Sequence, residues 1–438
     1  MTKPQISEHF KTREPSSIRL AQIEFMKRKD KVEAVNTAIG NVTLPMHPAM
    51  IKRMHNLCSC KDSHFRSGVV GYTASAGTDE IICAFKNIIA SSGFRSDNLL
   101  VMATDGGSQA MEIAVVGVCG NAGTDEKPLL LIDAAYTNYI AFADRLGRKT
   151  VSVKRKLQDT GKFTLPDFSE IEKVIQHQKP GALVVIPYDN PTGHFCDMKT
   201  MIELAKLCVK YNMWMISDEA YRELLYLDES KSSIWALSDS VVLGIEGRRI
   251  SIESASKVWN ACGLRIGALI TDNTEFYDKA LAEYTANLCA NAIGQYIFGA
   301  LAHESHEDLC KWYQQQRDYY KPLILEVRNA LLNLLPGIVV SSPDAALYSV
   351  VDVRNIAKAG FNSTDFALYC ARKGRVEIKD KCYTLLLAPM SGFYAVTKGE
   401  FNPGVTQLRI AYVPRPEKIM LIPYLFEKLF NEYEKQRN

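Results

Sequence analysis

Between residues 98 and 290 the sequence alternates short apolar runs with polar segments of helical length, the last of which follows Asp218. Five apolar runs have the length of β-strands: Leu99–Ala103, Pro128–Ile132, Thr150–Val153, Ala182–Ile186 and Met213–Ile216. Strands that are apolar on both faces and alternate with helices are typical of a mostly parallel sheet covered by helices. The alternation therefore predicts an α/β fold, with ligands bound at the carboxyl ends of the strands.

The pattern changes after about residue 300. A helical stretch from His306 to Leu334 ends at Pro336-Gly337, a helix stop signal, and shorter strands and helices follow it. Since 438 residues exceed what one hydrophobic core normally holds, we expect two domains. We predict an N-terminal segment (1–60) that joins the small domain, a large ligand-binding domain (61–305), and a long linking helix with a small α+β domain (306–438).

Composition limits the partners of the protein. A net charge of +3 is too small to indicate nucleic acid or an anionic membrane, and the longest apolar runs are too short to span a bilayer. The eleven cysteines lack the spacing of a zinc site, with Cys58 and Cys60 as their one close pair, so we expect no metal. Free thiols and an N-terminus without an apolar leader predict a cytoplasmic protein.

Lys257 lies between two segments that have the pattern of strands. It could be one solvated charge among the 52 lysines and arginines. However, Ile250 and Ile252 alternate with polar residues before it, and an apolar run follows Arg265. A lysine between core strands is costly unless it forms a covalent bond or pairs with a charge. We therefore expect Lys257 to take part in chemistry.

Polar residues follow each predicted strand. The glycines before Ser108 could let backbone amides approach a phosphate, although paired glycines more often form a tight turn. Tyr136 and Tyr139 could both be core residues. Asn190 could belong to a polar turn, and Asp218 could be a helix N-cap. Together, an anion cradle, an aromatic ring, an amide, a carboxylate, a phenol and an amine suit a flat, phosphorylated aldehyde cofactor with a ring nitrogen.

Five motifs carry a family resemblance. In chain order they are Asn190-Pro-Thr-Gly193, Asp218-Glu-Ala-Tyr221, Ser254-Ala-Ser-Lys257, Gly263-Leu-Arg-Ile-Gly267 and Leu408-Arg-Ile-Ala-Tyr412. They resemble the N-P-T-G, D-E-x-Y, S-x-S-K and G-x-R-x-G motifs and the substrate-arginine strand of the class I/II aminotransferases, which are fold-type-I pyridoxal-phosphate enzymes. Because independent motifs occur in the family's order over most of the chain, the resemblance is more specific than any single tetrapeptide.

The resemblance implies pyridoxal 5′-phosphate as the cofactor. Lys257 would carry it as a Schiff base and act as general base and acid, Asp218 would keep the ring nitrogen protonated, and Tyr221 would bond the ring oxygen. The implied cofactor-binding residues are Gly107, Ser108, Tyr136, Asn190, Asp218, Tyr221, Ser254, Ser256, Lys257 and Arg265, with Tyr72 supplied by the partner subunit of a homodimer. The implied substrate-binding residues are Gly40, Asn190 and Arg409.

The resemblance also implies a reaction, the transfer of an amino group between an L-amino acid and a 2-oxo acid, with the substrate carboxylate on Arg409. It does not identify the amino donor. Carbon–sulfur lyases and related synthases share these motifs on the same fold, so the choice between transamination and their reactions stays open. A non-catalytic regulator is a second alternative, against which the complete set of Lys257, Asp218, Asn190 and Arg409 argues.

Overall fold

A computed structural model describes residues 4–59, 63–121, 123–397 and 399–437, so Cys60 lies outside the described residues. The helices are α1 (Glu8–Lys11), α2 (Ser17–Phe25), α3 (Pro48–His55), α4 (Asp79–Ser91), α5 (Gly107–Val118), α6 (Asn138–Arg145), α7 (Phe168–Gln178), α8 (Met198–Lys210), α9 (Thr274–Tyr284), α10 (Ala292–Gly299), α11 (His306–Leu334), α12 (Ser363–Arg372), α13 (Pro416–Ile419) and α14 (Ile422–Gln436). The strands are β1 (Glu33–Asn36), β2 (Leu100–Thr104), β3 (Leu129–Asp133), β4 (Thr150–Lys154), β5 (Lys156–Leu157), β6 (Phe163–Thr164), β7 (Ala182–Val185), β8 (Trp214–Asp218), β9 (Arg249–Ser254), β10 (Gly267–Thr271), β11 (Val339–Val340), β12 (Tyr348–Asp352), β13 (Val376–Ile378), β14 (Lys381–Leu386), β15 (Ala388–Pro389) and β16 (Gln407–Ala411).

The large unit comprises Asn41–Leu325 and Ser341–Tyr348. Its sheet has seven strands in the order β2-β10-β9-β8-β7-β3-β4. The strands from β9 through β4 are parallel, and β10 runs antiparallel to both of its neighbours. Buried residues of α5, α6, α9 and the central strands form one hydrophobic cluster. The predicted α/β fold with a mostly parallel sheet flanked by helices is therefore confirmed.

Local sequence signals explain where the helices of this unit begin. The side chain of Thr78 accepts a hydrogen bond from the backbone N–H of Ile81 at the start of α4, and Asp197 accepts one from Thr200 at the start of α8. These N-caps satisfy donors that the first helical turn leaves without an intrahelical partner. The apolar residues of α8 recur every three or four positions, and this face is buried.

The segment after Asp218 differs from the prediction, because residues 219–248 form turns and one short 3₁₀ turn instead of an α-helix. The buried carboxylate of Glu219 explains this difference. It accepts hydrogen bonds from the hydroxyls of Ser217 and Ser233 and from the backbone N–H of Ile234. A buried carboxylate needs such donors, so the chain folds around it instead of continuing into a helix.

The small unit comprises the described residues up to Gly40, Glu326–Val340 and the residues from Ser349 onward. It contains two sheets, β1-β14-β13 and β11-β12-β16-β15, and β1 pairs parallel with β14. The chain passes from one unit to the other after Gly40, Leu325, Val340 and Tyr348. The domain boundaries after residues 60 and 305 stay predictions. Within the described ranges, none of the helices has the length and apolarity that a membrane span requires.

Candidate active site

One edge of the large sheet gathers most of the residues implied by the motifs. Gly107 follows β2, Asn190 follows β7, and Asp218 is the last residue of β8. Lys257 comes three residues after β9 ends. Arg265 precedes β10, which begins at this edge because it is antiparallel, with Gly267 opposite Thr104 of β2 and Ser254 of β9. The strand order therefore brings residues that are distant in sequence to the edge where parallel sheets bind ligands.

Two glycines and an arginine form a cradle at the start of α5. Gly106 is the N-cap residue and has φ +82°, and a Cβ on it would overlap the guanidinium of Arg265. Arg265 is exposed, and its Nη1 donates to the carbonyl of Cys262 over 3.1 Å. A helix N-terminus with a guanidinium beside it favours an anion. Gly107 and Ser108 are the first two residues of α5, and both are half-buried.

Gly267 should be essential to this cradle. A Cβ on Gly267 would lie 2.5 Å from both the carbonyl carbon of Gly106 and the backbone nitrogen of Gly107. We expect Gly267→Ala to displace that turn, destabilise the fold by about 1–3 kcal/mol, and weaken anion binding at the start of α5. Thermal unfolding and a titration with inorganic phosphate would measure both effects. Gly263→Ala is the control, because no atom lies within 4 Å of its Cβ position; equal behaviour of the two variants would contradict the prediction.

Ser254, Ser256 and Lys257 belong to one turn. The hydroxyl of Ser254 accepts a hydrogen bond from the backbone N–H of Ser256 over 3.0 Å, and all three residues are half-buried. Lys257 lies between two strands, as the sequence indicated, in the turn that follows the end of β9 at Ser254 and precedes β10.

An aromatic cluster holds the chain that follows Lys257. The indole of Trp259 stacks on that of Trp312 from α11, with ring centroids 6.4 Å apart and an interplanar angle of 3°. Trp312 also donates its indole N–H to the carbonyl of Val258 over 2.9 Å. His47 packs edge-on against both indoles, and burial lowers its pKa to about 4. The histidine is therefore neutral near pH 7 and packs as an uncharged ring against the two indoles.

Asp218 has a partner that the sequence did not identify. The hydroxyl of Tyr139 donates to the carboxylate of Asp218, which also accepts from the backbone N–H of Ala220 over 3.1 Å. Loss of surrounding water raises the pKa of Asp218, and these two hydrogen bonds oppose that rise. Tyr139 is buried, as expected for a core residue, and it also bonds the site carboxylate. Its only sequence signal is its place three positions after Tyr136.

Tyr136 lies just before α6, and its side chain is half-buried. Its hydroxyl accepts a hydrogen bond from the side-chain amide of Asn138 over 2.8 Å. Its ring meets that of Tyr139 edge-on, with centroids 5.6 Å apart and an interplanar angle of 88°. These contacts fix the ring orientation, and the stacking role implied for Tyr136 stays a prediction.

Asn190 and Tyr221 are both buried and directly bonded. The side-chain amide of Asn190 donates to the hydroxyl of Tyr221 over 3.2 Å. The hydroxyl of Tyr221 also lies 2.9 Å from that of Tyr348. Burial raises the pKa of Tyr221 well above its ordinary value, so the phenol is neutral at physiological pH.

A buried ion pair that the sequence did not reveal fixes the Asn190 turn. The guanidinium of Arg155 contacts both carboxylate oxygens of Asp189 at 2.9–3.0 Å and donates to the carbonyls of Ile132 and Ala134. Asp189 also accepts hydrogen bonds from the backbone and hydroxyl of Thr192. Arg155 thereby ties the turn that carries Asn190 to the end of β3.

Removing this arginine should destabilise the protein strongly. In an Arg155→Met variant the carboxylate of Asp189 stays buried without its cation, which typically costs about 3–5 kcal/mol. Denaturant unfolding would measure the loss of free energy. Lys206→Met is the matched control, because its ion pair with Glu203 is exposed and should contribute at most about 1 kcal/mol. Similar losses in the two variants would exclude a structural role for the buried pair.

The remaining predicted residues are Tyr72, Arg409 and Gly40. Tyr72 is 81% exposed, and its implied contact with a partner subunit stays a prediction. Arg409 and Gly40 belong to the small unit. Arg409 lies on β16, is 1% exposed, donates from Nη2 to the carbonyl of Ala38 over 2.6 Å, and lies over the ring of Phe393. In the part of the chain that the structure describes, no group of three or more His, Cys, Asp or Glu side chains could hold a metal.

Comparison with known proteins gives consistent matches. Residues 67–412 match the family described as aminotransferase class I and II. An aspartate aminotransferase of Musicola paradisiaca (strain Ech703) is 25% identical over 307 residues, which cover 67% of this chain and 70% of the relative. A probable mitochondrial alanine aminotransferase of Dictyostelium discoideum is 29% identical over 260 residues, 55% of this chain and 46% of the relative. The solved alanine aminotransferase from Pyrococcus furiosus has the same fold, with a TM-score of 0.78 at 21% identity over 98% of this chain and 100% of that one.

Proposed function

Since the chain belongs to the class I and II aminotransferases, we propose that it transfers an amino group from an L-amino acid to a 2-oxo acid, with pyridoxal 5′-phosphate bound at Lys257. The observation that carries the proposal is the convergence of Lys257, Asp218 and the Arg265 cradle at one edge of the large sheet. These residues supply an amine, a carboxylate and an anion site, which are the groups that such a cofactor needs.

The residues present fit this cofactor. The cradle of Gly106, Gly107 and Arg265 has the backbone and guanidinium donors that a phosphate requires, and a side chain on Gly106 would overlap the guanidinium. The pKa of Asp218 is raised by burial in the free protein, and a protonated ring nitrogen beside it would favour the carboxylate form again. When bound, the cofactor supplies an aldehyde that forms a Schiff base with amines and a ring that accepts electrons.

Each side chain has a separate task in this proposal. The amine of Lys257 holds the cofactor and later removes and returns the substrate α-proton. Asp218, oriented by Tyr139, keeps the ring nitrogen protonated, and Asn190 and Tyr221 donate to the ring oxygen. We assign the substrate carboxylate to Arg409, because its planar guanidinium binds carboxylates in bidentate geometry.

We further propose a homodimer in which the exposed Tyr72 reaches the phosphate held by the partner subunit. Tyrosine is enriched at the buried centres of protein–protein interfaces. Light scattering should give twice the monomer mass, whereas a fully active monomer would refute this arrangement. We expect the enzyme to act in the cytoplasm.

An absorption experiment tests the proposed reaction. Purified protein loaded with pyridoxal phosphate should show a visible band that disappears with a particular amino acid and returns when a 2-oxo acid is added. This cycle would establish transamination and identify the donor. Release of ammonia and an oxo acid from one amino acid without an acceptor would support a carbon–sulfur lyase instead. Failure of the cofactor to produce any visible band would refute the proposal.

A further inference from the structure

Three buried side chains form a continuous hydrogen-bonded row in the large unit. Asn190 donates to the hydroxyl of Tyr221, and that hydroxyl lies 2.9 Å from the hydroxyl of Tyr348. The two phenol rings meet edge-on, with centroids 5.6 Å apart and an interplanar angle of 77°. Tyr221 is 4% exposed and Tyr348 only 1% exposed, so water does not compete for the bond between them.

The backbone around Tyr348 packs directly on the turn that carries Asn190. A Cβ on Gly193 would overlap the carbonyl oxygen of Tyr348, and the N–H of Ala345 donates to the carbonyl of Gly193 over 2.9 Å. Gly193 has φ +72°, a conformation that glycine adopts without strain. The position of Tyr348 is therefore fixed relative to Asn190 before any ligand binds.

The hydroxyl of Tyr348 matters because Tyr221 has only one proton to donate. A tyrosine hydroxyl has one proton to donate and two lone pairs that accept. If Tyr221 donates to Tyr348, it has no proton left for a ligand. If Tyr348 donates, Tyr221 accepts from both Asn190 and Tyr348, and its own proton is available for another acceptor.

We propose that Tyr348 is a positioning residue that donates to Tyr221 and so directs the Tyr221 proton toward the ring oxygen of the cofactor. The inference rests on the proposed function, in which Tyr221 bonds that oxygen. Through Tyr221, the hydroxyl of Tyr348 would change the electronic state of the bound cofactor. Burial keeps the Tyr221 phenol neutral, so the effect depends on the direction of hydrogen bonding and not on a charge.

The test is Tyr348→Phe, which removes one hydroxyl and keeps the ring. The Tyr221 proton stays available in this variant, but the Tyr221 hydroxyl loses the donated bond that strengthens its own bond to the ring oxygen. The visible cofactor band should therefore shift in the same direction as that of Tyr221→Phe, and kcat/KM should fall about two- to tenfold, the worth of one hydrogen bond. The double variant should show no further band shift than Tyr221→Phe alone, because Tyr348 acts through Tyr221. Tyr226→Phe is the matched control, since this buried hydroxyl donates to the backbone carbonyl of Ala346 instead; its band and kcat/KM should match the wild type.

The outcomes separate this inference from the proposed function. A wild-type protein that gives no visible band would refute the proposed function and this inference with it. A normal wild-type band that does not move in Tyr348→Phe would refute only the role of Tyr348. Band shifts that add in the double variant would also refute it, because they would show that the two hydroxyls act independently.

Discussion

Replacement of Lys257 by alanine should reduce turnover by at least about 10⁴-fold, the upper end of what general acid–base catalysis contributes. Under the proposed function, the variant loses both the amine that holds the cofactor and the base that moves the substrate proton. Because Lys257 is half-buried in a turn and the Arg265 cradle is unchanged, the protein should fold and still bind some pyridoxal phosphate. Steady-state kinetics and a cofactor titration would measure the two properties.

Lys279→Ala is the control for this variant, because Lys279 is an exposed lysine on α9. It should retain wild-type kinetics and the wild-type cofactor spectrum. Near-normal activity of Lys257→Ala would refute the assignment of Lys257. A Lys257→Ala protein that fails to bind any cofactor would instead show that the amine contributes more to cofactor binding than the cradle does.

Replacement of Asp218 by asparagine should lower kcat by about 10²–10³-fold, a loss typical when one preorganised electrostatic partner is removed. A neutral amide cannot hold the ring nitrogen in its protonated form. The local contacts should survive, because an asparagine can accept from Ala220 and donate to the hydroxyl of Tyr139, which accepts as well as donates. Asp278→Asn, an exposed change on α9, should leave kcat unaltered. Normal kinetics in Asp218→Asn would exclude the proposed role of the carboxylate.

The same variant should change the pH dependence of stability in the cofactor-free protein. The pKa of Asp218 is raised in the folded state, so its folded form binds a proton more tightly than its unfolded form. The ionised carboxylate therefore destabilises the fold as pH rises above the unfolded pKa of about 4. Asp218→Asn should be more stable than the wild type at pH 7, and the difference should vanish below pH 4. Denaturant unfolding at both pH values would measure it, and a less stable variant at pH 7 would contradict it.

The sequence was sufficient to predict the position of residues that lie near the end of a strand. Asp218 ends one apolar run, Arg265 comes just before another, and Asn190 follows a third by a few residues, and the strand order brings these positions to one edge. The pattern failed after Asp218, where the buried Glu219 gathers donors from Ser217 and Ser233 and prevents the predicted helix. The alternation of apolar and polar residues indicates that a segment is buried. It does not indicate which hydrogen bonds a buried carboxylate needs.

The partners of these residues could not be predicted from the sequence. Tyr139 lies 79 residues from Asp218, Tyr348 lies 127 residues from Tyr221, and Arg155 is paired with Asp189 across 34 residues. Tyrosines in apolar segments are common in protein cores, so nothing local distinguishes one that bonds a site residue. Only the folded chain shows which hydroxyl or guanidinium meets which partner.

The sequence by itself determined the α/β class, the alternation of strands and helices as far as Asp218, and the amine, carboxylate and amide near the strand ends. It could do so because hydrophobic periodicity and turn residues act over a few positions. The tertiary structure decided that Tyr139 bonds Asp218, that Arg155 holds the Asn190 turn, and that Tyr348 meets Tyr221. Those pairings depend on long-range packing, in which buried polar groups must find partners from distant segments because water is excluded.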